Sequence, residues 1–262
     1  FAFGQATFII NPFFYSFSGP ALRYESFVIT LDPDSARFAA FRSANSRLRF
    51  HALKGIRGAD LSRDMRIANG LVTQQALDAG AVSDGEVGCA ASHLVLWREC
   101  VRRDCPFLIL EDDVFTHPAL GDVIARIDFD FDIIFFGLNT DTLVATLSPE
   151  GVREFSNFED RYPEPERIRA ILAQTDPSRI AYRRMLNGFG MCCYLVSPQG
   201  AAKIAAQIFP LRLDQVPIVG VSGASVRGTS IDRRLNALFS GLRCYLARPF
   251  LAWTPNTDSS TR

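Results

Sequence analysis

Lysine is almost missing from this 262-residue chain. Of its 28 basic residues only Lys54 and Lys203 are lysines, and the other 26 are arginines, a bias whose plainest cause is GC-rich coding. Excess charge of either sign is missing too, because 28 Asp and Glu balance the basic residues. With no basic run to add a local patch, nucleic acid is excluded as a partner. No stretch reaches about 18 apolar residues without a polar interruption, which excludes a membrane-spanning helix. The six cysteines, Cys89, Cys100, Cys105, Cys192, Cys193 and Cys244, contain no C-x-x-C pair. The adjacent pair Cys192-Cys193 is poor spacing for a metal or a disulfide. Their apolar neighbours suggest buried, reduced thiols and a reducing, cytoplasmic compartment. Repeats and low-complexity tracts are absent, and residues 1–20 lack the basic start and small-residue cleavage site of a signal peptide.

What is present is a core. Hydrophobic residues make up 48% of the chain, too many for disorder. The length suits one large α/β domain or two small ones. The aromatic-rich residues 1–23 read as an extension, packed on the body or serving as an anchor on a membrane surface. Beyond them strands and helices alternate. Ser26 to Leu31 reads as a buried strand, and Asp32-Pro33-Asp34-Ser35 opens a helix over 36–45. Leu48 to Leu53 reads as a second strand. Ser83-x-x-Glu86 is a capping box before a helix running to about Arg103, with Val87, Ala91, Leu94, Trp97 and Val101 as its core stripe. Phe107 to Leu110 and Ile133 to Phe136 are short apolar strands. Residues about 140–186 read as a polar insertion carrying one helix near 164–174. Met191 to Val196 is a strand, Ser197-Pro198 starts a helix, and Thr229 or Ser230 caps a last helix from Ile231. Alternation of this kind predicts a mostly parallel sheet with helices on both faces.

The chemistry concentrates in Glu111-Asp112-Asp113, directly after a four-residue apolar strand. Ligands of open parallel sheets bind beyond the carboxyl ends of the strands. Three adjacent carboxylates repel unless a cation or donors compensate them, and their hard oxygens suit Mg²⁺ or Mn²⁺. A solvated turn capping the next helix is the competing explanation. A second acidic run, Asp128-Phe129-Asp130-Phe131-Asp132, offers a phosphohydrolase-like reading, but alternation puts the two Phe inward and the acids in solvent.

Gly85 to Trp97 (GEVGCAASHLVLW) followed by Phe107 to Val114 (FLILEDDV) resembles the signature of glycosyltransferase family 25. That family includes lipooligosaccharide galactosyltransferases and collagen hydroxylysine galactosyltransferases. Asp32, Arg37, His51 to Gly55, Asp132 to Gly137, Cys193 to Ala201, Ile231-Asp232 and Pro255 to Ser259 agree in order. The resemblance implies a GT-A-like, Rossmann-like fold over residues 24–262. It implies inverting transfer of a sugar from a nucleotide diphosphate, usually UDP-galactose, with Mn²⁺ or Mg²⁺. The acceptor is expected to be a hydroxyl of a bacterial surface glycan, which allows association with the inner-membrane surface. A non-catalytic, nucleotide-sugar-binding homologue is the alternative within the family. By the same resemblance Asp113, with Glu111 beside it, holds the metal, and Glu111 and Asp112 orient the ribose or metal-bound water. Ser92 and His93 line the nucleotide or diphosphate, and the Gly55 loop lies beside base and ribose. Asn187 contacts the donor sugar or acceptor, while Arg183-Arg184 and Arg233-Arg234 are candidate diphosphate forks. The general base is expected at Asp232, in the first turn of the last helix where the dipole keeps it ionised. Glu86 is the second choice.

Overall fold

The computed structural model describes residues 24–157 and 161–256, so the expected extension over 1–23 and the last six residues of the tail lie outside the described residues. Along the chain come β1 (Glu25–Thr30), α1 (Ala36–Ala44), β2 (His51–Lys54), α2 (Arg63–Ala68), α3 (Gln74–Asp78) and the long α4 (Asp84–Arg103). Next are β3 (Phe107–Glu111), β4 (Phe115–Thr116), α5 (Leu120–Ile124), β5 (Ile133–Gly137), β6 (Leu143–Leu147), β7 (Arg153–Asn157) and α6 (Pro165–Gln174). The chain continues through β8 (Ala181–Asn187), β9 (Cys193–Val196), α7 (Pro198–Ile208), β10 (Gln215–Pro217) and β11 (Ser225–Arg227). It closes with α8 (Ile231–Asn236), β12 (Cys244–Arg248) and β13 (Ala252–Trp253).

Nine strands form one sheet in the order β2-β1-β3-β9-β5-β12-β8-β6-β7. β1 pairs in parallel with both β2 and β3, and β5 pairs in parallel with β12. β9 runs against both its neighbours, and β8, β6 and β7 continue antiparallel. The sheet is therefore mixed, with six of its nine strands pointing one way.

Side chains alternate across a strand, and the core divides accordingly. Phe27, Ile109, Ile133, Phe135 and Tyr194 meet Leu94 and Trp97 of α4, Ile204 of α7 and Leu235 of α8 on one face. Val28, Leu108, Leu110, Ile134, Phe136 and Leu195 meet Phe38 and Phe41 of α1 and Leu120 and Val123 of α5 on the other. This is the expected α/β, Rossmann-like sheet with helices on both faces.

Four details differ from the sequence reading. The stretch about 140–186 holds the expected helix, α6, but also supplies β6, β7 and β8 to the main sheet. The second strand, β2, begins at His51, three residues later than read. Val101, in the last turn of α4, is 43% exposed, while the adjacent Cys100 is buried. Asp132 is wholly buried, whereas Asp128 and Asp130 are exposed as expected. Among the described residues no helix is long and apolar enough to cross a membrane.

Candidate functional site

β1, β2 and β3 run the same way, so their carboxyl ends share one edge. Thr30 lies opposite Lys54, and Ile29 opposite Glu111. The next residues of each strand, Asp32, Gly55 and Asp112-Asp113, therefore converge there. Phe107 to Leu110 are completely buried, and Glu111 is the first residue of β3 to emerge. Its backbone N–H still donates to the carbonyl of Cys192 at 3.0 Å, which holds the strand end in place as the acids leave the sheet.

The triplet is partly compensated by Arg37 in the first turn of α1. Its Nε donates to Asp112 Oδ1 at 2.7 Å, and Nη2 lies 3.4 Å from Asp113 Oδ2. The Asp113 side chain is only 8% exposed, and its Oδ1 is buried without a hydrogen-bond partner. Loss of water pushes its carboxyl up to about 7, and the Glu111 charge adds to this, against the opposing pull of Arg37 and a Thr254 hydrogen bond. An orphaned carboxylate oxygen in such a place calls for a cation or a proton.

Helix α4 brings its N-terminal half to the same edge. The loop 55–58 and the helix approach closely: a Cβ on Gly58 would come within 1.9 Å of the Asp84 carbonyl, and one on Gly88 within 2.4 Å of that of Ile56. Ser92 fastens this contact, accepting from the Ile56 N–H at 2.8 Å and donating to the Gly88 carbonyl at 2.7 Å. Ser92 is thus occupied inside the protein, and it positions the Gly55 loop. Glu86 is likewise engaged: one oxygen accepts from the Ser83 N–H at 2.8 Å, completing the capping box, and the other accepts from Thr229 Oγ1 at 3.2 Å.

His93 is 1% exposed. Its Nδ1 is 2.7 Å from Tyr194 Oη, which also accepts from Trp97 Nε1 at 2.9 Å. The other ring nitrogen faces Glu111, with Oε1 at 3.8 Å. Cys89, one helical turn before His93, shares this corner; burial, then the charges of Glu111, Asp232 and Glu86, push its thiol well above the usual range. The sequence signal for Cys89 is its four-residue spacing from His93, which puts the two on one helix face.

Asp232 reaches the corner from the start of α8. Its Oδ1 accepts from the Arg233 N–H at 2.8 Å and from the Ser230 hydroxyl, and its Oδ2 accepts from the Gly190 N–H at 3.2 Å. Gly190 has φ +94, and a Cβ there would strike Asn139, so the turn needs glycine. Asn187 is fully buried; it donates to the Leu143 carbonyl at 2.7 Å and accepts from the Val219 N–H at 3.3 Å. That side chain therefore ties the turn between β10 and β11 to β6 of the sheet. The arginine pairs separate: Arg233 lies 3.8 Å from Glu86, Arg234 is buried against Asp214 at 3.4 Å, and Arg183 and Arg184 sit on β8. Thus the structure gathers Glu86, His93, Glu111, Asp112, Asp113 and Asp232 at one edge, with Gly55 and Ser92 supporting it.

The second acidic run lies at the other end of the sheet, before the first residue of β5. Asp132 was expected in solvent, but its carboxylate takes Lys203 Nζ at 2.9 and 3.0 Å and the Arg243 N–H at 2.8 Å. A buried acid needs such partners, and these leave it no free face for a phosphoester. A cleft of about 580 Å³ lined by Tyr24, Asn45, Arg49 and His117 contains none of the candidate residues.

Comparison with known proteins gives one family, described as glycosyltransferase family 25 (LPS biosynthesis protein), which matches residues 24–217. The match covers the α4 helix and the acidic triplet, and ends before Asp232. No curated protein matches the chain.

Proposed function

The chain belongs to glycosyltransferase family 25, and on that footing we propose that it transfers galactose from UDP-galactose, with inversion, to a hydroxyl of a bacterial surface glycan such as lipooligosaccharide. The observation that carries the metal-dependent form of this reading is the buried, unpartnered Oδ1 of Asp113 beside Glu111. Carboxylate oxygens of this kind fit Mn²⁺ or Mg²⁺, with Asp113 as the principal ligand and Glu111 next to it. Such an ion, when bound, neutralises charge developing on the diphosphate as the sugar leaves.

The chain's own residues carry the rest. Arg37 holds Asp112 in one orientation, so the acid is fixed before a nucleotide arrives. The loop at Gly55, fastened by Ser92, forms the wall on which base and ribose rest. Asp232 takes the proton of the acceptor hydroxyl, and the Gly190 and Arg233 N–H groups hold its carboxylate in place. Glu86, spent on the capping box and Thr229, orders the helix and the loop before α8. The six free thiols support a reducing, cytoplasmic location, at or near the inner-membrane surface where a glycan acceptor is anchored.

A donor screen tests this reading. Each common nucleotide sugar is incubated with the protein and Mn²⁺, and nucleotide release and thermal shift are recorded. UDP-galactose is expected to give the largest response, with UDP-glucose second. Binding of a GDP- or CMP-sugar and of no UDP-sugar would overturn the donor assignment.

A further inference from the structure

Beside the all-oxygen triplet lies a corner of different chemistry. Cys89 and His93 stack on one face of α4, and Glu111 arrives from the end of β3. Their ligand atoms, Sγ, a ring nitrogen and a carboxylate oxygen, all lie within 4.8 Å of one another. His93 Nε2 and Glu111 Oε1 are 3.8 Å apart, too far for a hydrogen bond. A tetrahedral zinc with Zn–N and Zn–O bonds of about 2.0–2.2 Å puts such atoms about 3.3–3.5 Å apart, so the pair needs to close by only a few tenths of an ångström to share one ion.

The imidazole is already aimed. Tyr194 Oη holds Nδ1 at 2.7 Å, and Trp97 Nε1 in turn donates to that oxygen at 2.9 Å. Both supports are buried in the core, so Nε2 is fixed toward Glu111. An outer partner on the second ring nitrogen is the usual support of a metal-bound histidine. Cys89 and Glu111 are partly exposed, whereas His93 is buried.

We propose that Cys89, His93 and Glu111 form a binding site for a borderline divalent cation of the Zn²⁺ class, which shares Glu111 with the hard-cation position at Asp113 and differs from it in its sulfur and nitrogen ligands. A thiolate, an imidazole and one carboxylate select Zn²⁺ or Co²⁺ over Mg²⁺, which prefers oxygen alone. As the Sγ–metal bond forms, the S–H bond breaks and its proton passes to water. With Nε2 giving its lone pair to the ion, the one ring proton of the bound form is on Nδ1, facing Tyr194 Oη. Glu111 binds through Oε1, and the fourth position is left to water. The site is defined by its ligands and does not rest on the glycosyl-transfer reading.

The test uses the whole chain, stripped of metal with EDTA, dialysed, and titrated with Co²⁺ without nucleotide. A thiolate-to-cobalt charge-transfer band in the near ultraviolet is expected to saturate with one Co²⁺ bound at this corner, and Zn²⁺ abolishes the band whereas Mg²⁺ does not. Cys89→Ser is expected to lose the band, and Glu111→Gln to weaken Co²⁺ binding about tenfold or more. Asp113→Asn is expected to keep the band. A second arm needs no substitution: Zn²⁺, and not Mg²⁺, slows alkylation of Cys89 by N-ethylmaleimide about tenfold or more, read by peptide mass spectrometry. Absence of the band, its survival in Cys89→Ser, its loss in Asp113→Asn, or alkylation indifferent to Zn²⁺ would each overturn the assignment.

Discussion

At the residue scale, the proposed reaction assigns Asp232 and the triplet different tasks, a base on one side and charge neutralisation on the other. Asp232→Asn separates a base from a metal ligand. A base loses about a hundredfold or more in kcat while UDP and Mn²⁺ affinities stay near those of the parent. Loss of Mn²⁺ affinity in calorimetry would instead make Asp232 a ligand, and survival of both rate and affinity would leave it a helix-start residue. Asp128 and Asp130 give the contrasting case. Both are exposed, and although Asp130 pairs with Arg243 at 3.0 Å, it does so in open solvent. Changing both to Asn is expected to leave turnover within a few-fold and stability within about 1 kcal/mol in urea titration. A collapse of activity would contradict the placement of the site at the triplet's edge. Asp132 shows where residue-level reading failed: period-two alternation placed it with its two neighbours in solvent. The chain enters β5 at the next residue, and Lys203 and Arg243, distant in sequence, make its burial tolerable.

At the element scale, α4 was the most legible part of the chain. Ser83 and Glu86 announce its start, and its 3–4 spacing gives the buried side. Its end was less legible, since nothing local says that Val101 outlasts the packing. The C-terminal turn is tied down by charge. Arg102 and then Arg103 hold the Glu99 carboxyl down at about 2, and Arg103 reaches on to Glu25 of β1 at 2.6 Å. An acid with a lowered native pKa stabilises the fold above its unfolded pKa, about 4.3, and loses that contribution as pH falls toward 2. Glu99→Gln is therefore expected to melt below the parent at neutral pH, with the gap closing as pH falls from about 5 to 2. A gap that stays constant across that range would show that the carboxylate charge is not the cause. The strands β7 and β8 were illegible for a physical reason. β7 is an edge strand with an almost wholly exposed sequence, and β8 is half-exposed along most of its length. Without a buried side to mark, polar strands look like loop. β12 was not read from the sequence, although it lies between β5 and β8 in the sheet.

At the scale of the whole molecule, the fold explains why residues scattered from 32 to 232 act together. Three parallel strand ends, the N-terminal half of α4 and the start of α8 open on one edge, while both faces of the sheet are sealed by helices. The acidic triplet at that edge was legible because a fully apolar strand ran straight into three charges. The corner formed by Cys89, His93 and Glu111 was not, because its geometry depends on Tyr194 and Trp97 fixing the imidazole from within the core. The central claim is metal-dependent transfer from a UDP-sugar at Asp113. It is tested most directly by measuring UDP release from UDP-galactose, with a lipooligosaccharide acceptor, as Mn²⁺ is titrated into the metal-free protein and its Asp113→Asn variant. The account predicts release that requires both Mn²⁺ and acceptor, and falls about a hundredfold or more in the variant while its circular dichroism is unchanged. Equal release by the two proteins, or full release in excess EDTA, would contradict it.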